Sequence, residues 1–153
     1  TMSEENLTTD FEKQFWGTLA DNNTDAFDFH FPITAKMVGI TTITVTLDGV
    51  SKNAAPSGNI VLTCAAKAYR FGTDTYTTHT TTGEQSVTLT PATQYRGVSA
   101  TSAAITLNGT VAAGGKMVGS CEADATGITS AQMTDFRLGG EALIQLSVNS
   151  WSD

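Results

Sequence analysis

From residue 26 onward, apolar and polar residues alternate one for one along most of the chain, the period of a strand that buries one face. Phe27, Phe29 and Phe31 fall on one face, with Asp28 and His30 on the other, and Pro32 ends the run. Ile43, Val45 and Leu47 interleave with Thr42, Thr44 and Thr46, and Asp48-Gly49 has turn chemistry. Pro56-Ser57-Gly58-Asn59 is a second turn signal. Beyond it Ile60, Leu62, Cys64, Ala66 and Ala68 define one face of a long strand reaching Phe71, interrupted at Gly72-Thr73-Asp74. Val87 and Leu89 make a short strand before Pro91. Ala103, Ile105 and Leu107 lead into Asn108-Gly109, a hairpin signal, and Met117, Cys121 and Ala123 share the face that follows. Ile144, Leu146 and Val148 form the closing strand.

Seven or eight short strands with turn signals between them, and no helical crossover, predict an all-β fold. The expected architecture is an antiparallel β-sandwich of jelly-roll type. The N-terminus is the one place where a helix competes. Thr9-Asp10-Phe11-Glu12 reads as a capping box, with Leu7, Phe11 and Phe15 at helical spacing and Gly17 as the stop. A strand through Gln14–Leu19 is the alternative. The predicted organisation is an N-terminal arm over residues 1–26, helical or extended, followed by a sandwich over 27–153.

Composition sharpens the fold class. Charged residues make up 15% of the chain, well below the ~25% usual for soluble domains, and 27 Thr take their place on the wet surface. Thr suits strands, so the polar face is one of sheet rather than helix. The net charge of −7 argues against nucleic acid and anionic membrane surfaces as partners, and no run of ~18 apolar residues spans a bilayer. The charge is also uneven. Residues 1–28 hold seven acids and one base (Lys13), whereas the other 125 residues hold eight acids and seven bases. No basic and apolar leader stands near Met2, which predicts a product of the cytoplasm if Met2 is the native start rather than part of an excised domain. Cys64 and Cys121, both on apolar faces, are then expected as reduced thiols in the core.

Candidates for chemistry are few. The two histidines, His30 and His79, and the two cysteines have no metal-ligand spacing, and no nucleophile elbow or phosphate loop occurs. Asp21-Asn22-Asn23-Thr24-Asp25 resembles the start of a calcium loop, but Ala26 stands where that loop needs Gly and Pro32 where it needs Glu. The expectation is a protein with no catalytic residue, no cofactor and no metal. Aromatic side chains remain. Tyr69, Tyr76 and Tyr95 are candidates for stacking on a ligand, while Trp16 and Trp151 read as cover for the sandwich ends or a subunit interface.

The order of segments resembles β-sandwich modules of bacteriophage virion, tail-fibre and appendage proteins. FHFPITAKMVGITTITVTLDGVS (Phe29–Ser51) is similar to their opening strands and SGNIVLTCAAKAYRFGTD (Ser57–Asp74) to the long strand that follows. SAAITLNGTVAAGGKMVGSCEADAT (Ser102–Thr126) is similar to the later strands, and ALIQLSVNSW (Ala142–Trp151) to the closing one. Such modules have Gly-Asp after the Ala-rich turn, where this chain has Gly115-Lys116. The resemblance implies a non-enzymatic virion protein, either a capsid decoration protein or a head or tail appendage module. Its expected location is the virion, after synthesis in the host cytoplasm. Its expected partners are copies of itself (a homotrimer first, a dimer next) and other virion proteins. In this picture the acidic arm attaches through Leu7, Phe11, Phe15 and Trp16. The alternative is a carbohydrate- or receptor-binding module of a tail fibre or cell-surface protein, recognising a cell-surface glycan through two or three exposed, coplanar aromatics.

Overall fold

A computed structural model describes residues 4–6, 15–18, 26–74, 83–128 and 136–146. Ten strands run in chain order: β1 (Glu4–Asn6), β2 (Phe15–Thr18), β3 (Ala26–Pro32), β4 (Thr42–Ser51), β5 (Ile60–Tyr69), β6 (Gln85–Leu89), β7 (Gly97–Thr101), β8 (Ile105–Thr106), β9 (Lys116–Ile128) and β10 (Phe136–Leu146). A single 3-10 turn over Ala35–Met37 is the only helical element among the described residues.

The strands form two antiparallel sheets. One has the order β1-β2-β10-β4-β7, with β8 also paired to β4, and the other has the order β3-β9-β5-β6. Set aside the short β1 and β8 and number the remaining eight strands in chain order. The sheets then read 1-8-3-6 and 2-7-4-5, the double Greek-key wrap of a jelly roll. The expected fold class is therefore the observed one. The first of those eight strands is β2, which pairs with β10 through Thr18↔Arg137, Gly17↔Leu138 and Trp16↔Gly139. The sandwich thus begins before residue 27 and takes in part of the acidic segment. Of the two N-terminal alternatives, Phe15–Thr18 adopts the strand.

The core lies between the sheets. Ile43, Val45 and Leu47 of β4 meet Ile60, Leu62, Cys64, Ala66 and Ala68 of β5, with Val87, Leu89, Ile105, Met117 and Cys121 around them. Each of these side chains was placed on a buried face by the one-for-one alternation. Phe136 was not, yet it is fully buried at the head of β10. Phe29 is buried in the core while Asp28 and His30 are exposed, as their alternation requires.

Three local expectations fail, each for a tertiary reason. Asp48-Gly49 does not turn but lies inside β4. There β10 advances from Leu138 to Ala142 while β4 moves only from Gly49 to Leu47, so Gly139-Gly140 of β10 forms the irregularity. Asn108-Gly109 makes no hairpin either. Asn108 bridges to Lys67, and Gly109, at φ +86°, passes close to the Ala68 carbonyl as the chain leaves β8 for the other sheet. Lastly, Cys64 and Cys121 are not free thiols. They are register partners on β5 and β9 with Cα atoms 3.9 Å apart, and their sulfurs form a disulfide inside the core. Alternation put each cysteine indoors, but only the register of two distant strands puts them opposite one another.

Candidate functional site

One end of the sandwich is marked by the row Pro32–Lys116–Tyr69, where β3 ends, β9 begins and β5 ends. The chain leaves β5 through a tight turn, Arg70–Asp74. The Asp74 carboxylate accepts the Arg70 backbone N–H (2.7 Å), its Nη2 (2.8 Å) and its Nε (3.1 Å), while the Arg70 carbonyl accepts the N–H groups of Asp74 and Thr73. Gly72 takes the left-handed conformation the turn needs, at φ +72°. The side-chain hydrogen bond from the Arg70 guanidinium first, and then the Arg70 backbone N–H, hold the Asp74 carboxyl below its ordinary range. Lys67 adds to the same effect from a distance.

This clamped turn carries Phe71, whose side chain is 60% exposed. Tyr69 meets it edge to face, with ring centroids 5.4 Å apart and planes at 86°. The Lys116 ammonium stands 5.8 Å from the Phe71 centroid, within cation–π range. A large apolar ring is thus presented to water by a turn closed by several hydrogen bonds, with the Lys116 cation near it.

Of the three tyrosines expected as stacking candidates, the two described ones do not come together. Tyr69 belongs to this end. Tyr95 lies at the other, where its N–H donates to the Ser51 carbonyl at the end of β4, and it is 61% exposed at φ +58°. The ten residues of β4 put about 30 Å between the two ends. Tyr76 lies outside the described residues, and the one aromatic pair here is perpendicular rather than coplanar. Phe71 entered the sequence reading only as the end of a strand. The signal that would have found it is the Arg70–Asp74 spacing around Phe-Gly, an acid and a base placed to close a turn.

Leu7 and Phe11 lie outside the described residues, as do His79 and Asp21–Asp25. Phe15 and Trp16 sit in β2, facing Asn6 and Glu5 of β1 in register. Among the described residues no group of three or more His, Cys, Asp or Glu is placed to hold a metal ion.

The second feature is at the flank. β6 and β7 end their respective sheets and lie beside each other. Their sequences, QSVTL and GVSAT, contain no charge and no proline. At the opposite flank the terminal strands are β1, with Glu4 and Glu5, and β3, with exposed Asp28 and His30 and a closing Pro32. Charge and proline are the usual guards against edge-to-edge pairing, and β6 and β7 carry neither within their described strands.

Comparison with protein-family models, with curated proteins and with solved structures finds no match to this chain.

Proposed function

We propose that the chain is a non-enzymatic structural protein of a bacteriophage virion, a capsid decoration protein or a head or tail appendage module, working by self-assembly and attachment. The observation that carries this reading is the pair of adjacent, uncharged edge strands β6 and β7. Two copies of this chain repel each other chiefly through residues 1–28, which hold seven acids and one base, whereas the rest is almost neutral. β6 and β7 add no charge to that repulsion, and among the described residues each ends its sheet, the position at which a further strand can be added. Association there, as a homotrimer first and a dimer next, covers the exposed edges. Other virion proteins are the remaining partners.

Ser102 Oγ accepts the Val45 N–H in the interior, Ser51 Oγ accepts the Asn53 N–H, and Arg70 and Asp74 close a turn. A disulfide persists in oxidising surroundings, which a particle meets once it leaves the host cytoplasm. A jelly roll by itself carries no function, so the edges rather than the fold bear the argument.

The test is mass spectrometry of purified phage particles from the source, together with sedimentation velocity of the isolated chain. The chain in the particles at a fixed copy number, and a trimer in solution, are the expected results. A chain absent from particles, or monomeric at high micromolar concentration, overturns the proposal.

A further inference from the structure

We infer that the Phe71 turn is a second, independent site that binds a carboxylated saccharide, with the sugar ring on Phe71 and its carboxylate toward Lys116. Three observations lead there. The first is exposure without freedom. Phe71 presents most of its surface to water, yet its backbone is fixed by the Asp74 carboxylate on three Arg70 donors, and Tyr69 abuts its ring. An aromatic surface held ready in this way loses little entropy when a ligand settles on it.

The second is charge. In a chain of net −7, four of the eight bases (Lys36, Lys67, Arg70 and Lys116) belong to this end. Lys36 lies in the 3-10 turn after β3, where the Ile33 N–H meets the Gly115 carbonyl beside Lys116. The acid within the turn, Asp74, is engaged by Arg70. Among the described residues the charge at this site therefore favours an anion, and Lys116 places that anion next to the ring.

The third is size. The large hydrophobic side chains exposed among the described residues are Val38, Phe71 and Tyr95, and Tyr95 is at the far end. Among the described residues this end exposes one ring and Val38 beside a cationic rim, far less than the ~800 Å² on each partner that a protein interface needs. The ring suits one pyranose. A nucleic acid also offers rings and anions, but its many phosphates meet the acidity of the rest of the molecule.

The experiment is titration calorimetry with trigalacturonate and sialyllactose as acidic probes and lactose as the neutral control. It uses the full chain, Phe71→Ala and Lys116→Gln. The wild type should bind at least one acidic probe and lactose more weakly. Phe71→Ala should lower the affinity about tenfold, and Lys116→Gln should lower it for the acidic probe alone, with matching thermal melts as the folding control. No binding of either acidic probe by the wild type overturns the inference, as does equal binding by Phe71→Ala. Loss of the oligomer in Phe71→Ala also overturns it, since the ring would then be a contact between copies. Because the wild type can bind sugar whether or not it occurs in virions, this result is separable from the assembly proposal.

Discussion

Cys64 and Cys121 close a loop spanning 57 positions of the chain, and tying such a loop removes much of the freedom of the unfolded state. Replacing both with Ala should lower the unfolding free energy by about 2–5 kcal/mol, read from urea denaturation of oxidised protein and variant. Alkylation under denaturing, non-reducing conditions should add no mass to the oxidised chain. Gly119 gives a second residue-level expectation. It faces Phe29 across β3 and β9, and a Cβ there would run into the Phe29 ring and the Ala65 carbonyl. Gly119→Ala should therefore cost about 1–3 kcal/mol through overpacking in the same assay. Asp74 sets a pH dependence. Its carboxyl ionises below the ordinary range in the folded chain, so the stabilisation it gives is complete above the unfolded value and fades as pH falls through the lowered folded one. Because the group is exposed, the effect on global stability is small. The direct measurement is the Asp74 carboxyl titration by NMR, whose midpoint should move upward in Arg70→Gln.

At the scale of elements, what could be read from the sequence was which side of each strand is buried. Alternation fixes that locally, and it held for Ile43 to Leu47, for Val87 with Leu89, and for Ile60 to Ala68 except at Ala65, which is buried on the other face. What could not be read was how strands meet. The disulfide, the strand running through Asp48-Gly49 and the crossover at Asn108-Gly109 all depend on register between segments far apart in the chain. The Phe71 turn escaped because exposure of one ring is visible only once its neighbours are in place. Edge strands follow the same logic: sequence shows that QSVTL and GVSAT lack charge, but only the sheet order makes them edges. If the chain associates through these edges, a lysine on each, with Thr88→Lys and Ser99→Lys at exposed positions, should leave a folded monomer in sedimentation velocity.

For the whole molecule, the jelly-roll order changes what the acidic N-terminal segment is for. An arm that ends at residue 26 would be dispensable to the fold, and its removal would affect attachment alone. The observed wrap makes β2 the first of the eight strands, paired along β10, whereas β1 is only an outer strand paired to β2. Two truncations separate these roles. Deleting residues 2–13 removes β1 and leaves β2 at the sheet edge, so the melting temperature should change little. Deleting residues 2–19 removes β2 and uncovers the flank of β10, losing several backbone hydrogen bonds at about 0.5–1.5 kcal/mol each. That should lower the melting temperature by about 5–15 °C. If attachment to a particle fails already in the shorter deletion while stability is kept, the docking contact lies within residues 2–13, which include Leu7 and Phe11. If it fails only in the longer one, together with stability, Phe15 and Trp16 matter as part of the first strand of the sandwich rather than as a detached anchor.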